Sequence, residues 1–135
     1  MSRILGIDYG TKRVGLAVSD GLGLTARALE VIDRAKAVDR IGELAEEYEV
    51  SEVVIGLPTG LSGGEGHSAA GARALGTELA EGHGLTVKYL DERFTSRIAE
   101  STLLESGMKR RERRATVDKV AAAIILQDYL DSRSR

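Results

Sequence analysis

The sequence contains no cysteine. That excludes disulfides and thiolate metal sites, and it makes the cytoplasm the expected compartment. Histidine occurs only twice, at positions 67 and 83, so no clustered imidazoles suggest a zinc centre. No apolar run approaches the roughly 20 residues needed to span a bilayer, and no membrane association is expected. The N-terminus leads straight into a strand pattern, without a signal-peptide signature. The net charge is −2, so there is no global basic signature of nucleic-acid binding. The charge is uneven, however: residues 109–114 read KRRERR, five cations in six positions.

What is present fits a single globular domain over residues 1–135. Apolar residues make up 42% of the chain and charged residues 30%, an ordinary balance for a chain that buries a core. The organising stretch is residues 3–15, RILGIDYGTKRVG. An apolar run (Ile4, Leu5, Ile7) ends at Asp8, turns at Gly10 and Thr11, and is followed by a second run (Val14, Leu16, Ala17, Val18). This reads as a β-hairpin with a carboxylate at the end of its first strand. A charge there is costly to desolvate unless it is paired or bound to a cation.

The alternation predicts strands over 3–9, 12–19 and 24–32, an antiparallel meander. The period then changes. Val38, Ile41, Leu44, Ala45 and Tyr48 mark a helix over 34–48, with Asp33 as its expected N-cap. Residues 52–57 (EVVIGL) read as a buried strand that stops at Pro58, the only proline. A glycine-rich loop over 59–66 follows, then an alanine-rich helix over 67–82 and a strand over 85–90. A helix over 95–106 comes next. KRRERR has no apolar face and reads as a solvated loop or frayed helix end, before a last helix over 116–130 capped by Thr116. The order βββαβαβαα predicts an α/β fold: a five-stranded mixed sheet, three strands antiparallel and two parallel, with helices on both faces. Sites in such sheets form beyond the carboxyl ends of the parallel strands. Asp8, the 58–66 loop and the Asp91–Glu92 pair all fall on that rim.

Asp118 lies beside Ala121, Ala122 and Ile125 on the wheel of the last helix and could face the same rim. Carboxylates gathered at one place repel each other unless cations neutralise them. An oxygen-only ligand set favours Mg²⁺ or Mn²⁺ over zinc. Such a site suits phosphodiester cleavage, with KRRERR holding the substrate's phosphates. Strand alternation sends Asp91 and Glu92 to opposite faces, so one of the two is the better ligand. The bland readings are that Asp8 satisfies turn amides, that Asp118 simply favours a first helical turn, that KRRERR is a solvated run, and that Tyr9 is packing.

GIDYGTKRVGLAVSD (6–20), VIGLP with its glycine-rich loop (54–66), DERFTS (91–96) and DKVAAAIIL (118–126) together resemble the YqgF/RuvX family of bacterial RNase H-like proteins, relatives of the Holliday-junction resolvases. The resemblance spans essentially the whole chain, with four motifs in order. It implies an RNase H-like fold and a divalent-metal-dependent nuclease that matures the 5′ end of pre-16S rRNA, using Mg²⁺ or Mn²⁺. Position by position, Asp8 matches the first-strand acid, Glu92 the acid of the DER motif and Asp118 the helix acid. These three are the implied catalytic and metal-binding residues. Lys12, Arg93, Lys109, Arg110, Arg111, Arg113 and Arg114 are the candidate substrate contacts. Phe94 stands where the family often has leucine, and residues 59–61 depart from its usual loop wording.

Other classes compete. A Holliday-junction resolvase acting on branched DNA would need a homodimer with two opposed sites. A non-catalytic RNA- or ribosome-associated factor would lack one of the acids, and none is lacking here. GIDYGT also resembles the phosphate-binding turn of sugar kinases, actin and heat-shock chaperones, but those close a second lobe over ATP that 135 residues cannot supply.

Overall fold

Alternating strand residues sort into two apolar sets, and each set finds its own helices. The computed structural model describes residues 2–10, 12–57, 67–91 and 110–133, with the side chains of 67–68 and 110–118 left aside. Five strands, β1 (Arg3–Tyr9), β2 (Arg13–Ser19), β3 (Ala26–Asp33), β4 (Val50–Leu57) and β5 (Thr86–Asp91), form one sheet in the order β3-β2-β1-β4-β5. β1 pairs antiparallel with β2, and β2 with β3. β4 lies parallel to β1, and β5 parallel to β4. The predicted mixed sheet is therefore present, meander and parallel strands alike.

On one face Leu5, Ile7, Val14, Leu16, Val53 and Ile55 pack against α1 (Ala37–Glu47) and α2 (His67–His83). On the other, Ile4, Ala17 and Val54 meet Ala122, Ile125, Leu126 and Leu130 of α3 (Arg110–Arg133). The first face is bulky, and each fully buried Leu or Ile there contributes roughly 1.5–3 kcal/mol of transfer free energy. The second is thin. A Cβ on Gly6 would lie 2.6 Å from Leu126 Cβ and 2.9 Å from the Ala122 carbonyl oxygen, and one on Gly56 would strike Ile125. Glycine inside a strand marks such close approach, and here it lets α3 lie directly on the sheet.

Three expectations are corrected. Asp33 is the last residue of β3 and makes no side-chain cap bond; a 3₁₀ turn, Arg34–Lys36, separates it from α1. The last helix begins at Arg110, so Thr116 lies inside it and cannot be its cap. Arginine and glutamate are good helix formers, and propagation from a packed helix costs far less than nucleation, so residues 110–114 (RRERR) extend the helix although their sequence has no apolar stripe. β4 also starts two residues before the predicted strand, at Val50. The chain turns into it through Glu49, whose φ of +56° is left-handed, a helix-ending conformation that usually falls to glycine. The 59–66 loop and the helix over 95–106 lie outside the described residues.

Gly6→Ala should cost about 1–3 kcal/mol, because its methyl group overpacks the α3 contact. Urea unfolding measures this, and an unchanged midpoint would mean that α3 does not rest on Gly6 as tightly as the distances say.

Candidate functional site

Asp8 is half-buried one residue before the end of β1. Leu5 and Ile7 point into the α1/α2 core, so Asp8 shares the opposite face with Ile4 and Gly6. Its register partners are Gly15 on β2 and Gly56 on β4. The carboxylate therefore stands between two positions with no side chain, on the face that α3 covers.

α3 runs antiparallel to β1 and β4. Tyr129 meets Glu52 early in β4, whereas Ile125 meets Gly56 near its end. Ala122 and Leu126 both lie over Gly6. From Gly6 to Asp8 is two strand residues, an advance of about 7 Å. From Ala122 back to position 118 is one helical turn, about 6 Å. The two advances match, so the helix backbone at position 118 reaches the level of Asp8. Position 118 is the ninth residue of α3, not part of its first turn, so the helix dipole gives no separate reason for an acid there.

Asp91 pairs in register with Leu57 and has the strand parity of Val87 and Tyr89, which pack on the α1/α2 side. It is exposed and lies on the face opposite Asp8. Lys12 is exposed in the turn between β1 and β2. Arg110, Arg111, Arg113 and Arg114 occupy the first turns of α3, which precede position 118 and so extend toward and past the rim. Glu92, Arg93 and Lys109 lie outside the described residues. Among the described residues, no group of three or more His, Cys, Asp or Glu side chains is placed to hold a metal. Tyr9 packs in the α1/α2 core, its ring occupying the space that Gly71 leaves open.

A cleft of about 530 Å³ opens elsewhere, between the end of β3 and α1. Its walls mix Arg13, Lys36 and Arg40 with Glu30, Asp33, Asp39 and Glu43, so it has no net preference for an anion. Arg40 and Glu30 make a two-pronged pair there, at 2.9 and 2.8 Å. By register with Leu16, Glu30 is on the α1 face, away from Asp8.

Comparison with known proteins fits this geometry. The family model described as RuvX, Holliday junction resolvase, matches residues 2–132. The chain belongs to the RuvX family. A relative from Lactococcus lactis subsp. lactis (strain IL1403), named as a candidate pre-16S rRNA nuclease, is 46% identical over 98% of this chain and 96% of its own. One of the same name from Streptococcus sanguinis (strain SK36) is 44% identical over 96% and 97%. Among solved structures, Thermus thermophilus RuvC in complex with Holliday junction substrate superposes with a TM-score of 0.59 at 18% identity, covering 99% of this chain and 96% of that one. The fowlpox virus Holliday junction resolvase gives 0.54 at 13%, covering 96% and 99%. These two share the fold, and the five-stranded sheet is the RNase H-like one that the sequence led us to expect. As a RuvX member this RNase H-like protein is an enzyme of phosphodiester hydrolysis.

The glycines beside Asp8 could have been read as site features from their place inside apolar strands. The polar contacts of Gln127, Tyr129 and Glu52 with distant residues leave no such local sign.

The Arg40 hydrogen bonds hold the Glu30 carboxyl below its ordinary value of 4.5. A depressed carboxylate pKa stabilises the fold above the unfolded value, and that contribution fades as pH falls through the folded one. Glu30→Gln should therefore lower the melting temperature slightly at neutral pH and leave it unchanged well below pH 4.5. Equal losses at both pH values would contradict the pairing.

Proposed function

We propose that this protein is a divalent-metal-dependent nuclease that processes the 5′ end of pre-16S rRNA in the cytoplasm, acting as a single RNase H-like domain over residues 1–135. The observation that carries this reading is the placement of Asp8 between Gly15 and Gly56 at the rim, with α3 bringing position 118 to the same level. The pre-16S rRNA assignment rests on relatives of that name at 43–46% identity over nearly the full chain.

Asp8, Glu92 and Asp118 are the proposed ligands. Asp91 is on the far face from Asp8, which favours the other acid of the DER motif, the one the family resemblance implies, as the ligand. The donor set is carboxylate oxygen only, which fits Mg²⁺ or Mn²⁺. Such an ion, when bound, supplies positive charge where the scissile phosphate develops negative charge. The chain's own part is to fix the carboxylates and hold the substrate. Gly56 lets Ile125 of α3 lie against β4 beside Asp8, which keeps the helix carrying position 118 close to that carboxylate. Lys12, Arg93, Lys109, Arg110, Arg111, Arg113 and Arg114 hold the neighbouring phosphates, the last four from a helix and not from a loop.

The RuvX family description supports a second reading, a resolvase on branched DNA, which would need a homodimer with two opposed sites. The test compares wild type with Asp8→Asn on labelled pre-16S RNA and on a four-way DNA junction, each with and without Mn²⁺. Asp8→Asn should fold and bind RNA yet lose Mn²⁺-dependent cleavage by a factor of at least a hundred; cutting at the wild-type rate would end the carboxylate reading. Preferential cleavage of the junction would select the DNA reading.

Replacing Arg110, Arg111, Arg113 and Arg114 by Gln should raise KM far more than it lowers kcat. The slope of log affinity against log salt should fall by about 3 for four lost single-strand phosphate contacts. An unchanged slope returns these arginines to a solvated helix end.

A further inference from the structure

The apolar contacts of α3 seat it over Gly6 and Gly56 but, being non-directional, they hold its axial position less sharply than hydrogen bonds do and leave room for small axial shifts. Two polar anchors oppose this, one on each side of β1. On the β3 side, Gln127 Oε1 accepts the Ala26 amide at 2.9 Å, and its Nε2 donates to the Leu24 carbonyl and to Asp131 Oδ1, both at 3.0 Å. The turn it grips is itself fixed. Asp20 Oδ1 accepts the Leu24 and Thr25 amides at 2.7 and 3.2 Å. Ser19 Oγ accepts the Ile4 amide of β1 at 2.9 Å and donates to the Asp20 carbonyl at 3.0 Å. A continuous hydrogen-bonded path thus joins β1, the strand carrying Asp8, to α3. On the β4 side, the Tyr129 hydroxyl donates to Glu52 Oε2. Burial and Glu52 push the tyrosine up to about 12, so the hydroxyl keeps its proton at neutral pH.

Both anchors sit in the C-terminal half of α3, between Tyr129 and Gln127 and their partners. The N-terminal half, with position 118, extends from them toward the rim. We propose that Gln127 and the Tyr129–Glu52 pair are positioning residues that set the axial register of α3, and with it the height of Asp118 over Asp8. This rests on the carboxylate–metal reading above. An error of one residue in register would move position 118 by about 1.5 Å, enough to spoil ligand distances that hold to about 0.2 Å.

The test uses the full-length protein and Mn²⁺ alone as probe, with free Mn²⁺ measured by electron paramagnetic resonance. Tyr129→Phe and Gln127→Met, singly and together, should weaken Mn²⁺ binding, the double variant by about tenfold or more, as loss of supporting contacts around metal ligands does. Cleavage at saturating Mn²⁺ should recover toward wild type, with the KM for RNA unchanged. Glu52→Gln should keep near-wild-type Mn²⁺ affinity, because an amide oxygen still accepts the tyrosine hydroxyl. If the double variant does not fold, Tyr129→Phe alone carries the test. An unchanged Mn²⁺ dissociation constant beside a lowered melting temperature would make these contacts stabilising only and overturn the proposal. If wild type binds no Mn²⁺, or Asp8→Asn binds it as well as wild type does, the carboxylate reading falls and this inference with it.

Discussion

The close approach of α3 to the sheet is the contact on which the rest of the structure depends. A helix usually packs on a sheet through side chains that hold the backbones about 10 Å apart, like stacked layers generally. Here Gly6 and Gly56 withdraw their side chains beneath Ala122, Leu126 and Ile125, so the helix rests against strand backbone. Ala17 continues the thin surface. The opposite face makes up the loss with Leu5, Ile7, Leu16, Val53 and Ile55 against two helices. One face of the sheet supplies most of the burial, and the other gives up side-chain volume for proximity. Asp8 lies on the second.

Much of this was legible in the sequence, because strand alternation is a local signal. The spacing of Ile4, Leu5, Ile7 and of Val14, Leu16, Val18 is enough to announce strands and their faces, and a lone acid closing the first run points to the proposed site. The errors fell where locality fails. KRRERR lacks an apolar stripe, so the loop and helix-end readings stayed open, and nothing local shows that a packed helix downstream extends through residues 110–114. Thr116 looked like a cap for the same reason. Asp33 carries the right side chain for a cap, but the 3₁₀ turn after it puts the start of α1 out of reach. Glu49 in a left-handed conformation had no glycine to signal it.

The pairing of Asp91 with Leu57 shows what a register adds to a motif. From spacing, Asp91 and Glu92 were equivalent acids on opposite faces. One cross-strand partner suffices to assign Asp91 to the α1/α2 side, since parity then fixes every residue of the strand. The anchors of α3 are still less legible. Gln127 and Ala26 are 101 positions apart, Tyr129 and Glu52 are 77, and neither pair follows any period.

Acids on a single strand alternate between faces, and acids on a single helix spread around it, so no one element can crowd several carboxylates together. The proposed set, drawn from β1, from the sequence after β5 and from α3, would remove that limit but make the separation of its members a property of tertiary packing. In the proposed site their mutual repulsion would act as a load on that packing, pushing α3 away from β1. Interlocking apolar contacts resist separation of helix from sheet and gross sliding, whereas hydrogen bonds to fixed partners also set the fine axial position. A site built this way needs its directional contacts somewhere along the helix other than at the acids themselves, because there every polar group is committed to the chemistry. In this fold they lie two to three turns further along α3, at Gln127 and Tyr129, where the helix passes the start of β3 and the start of β4.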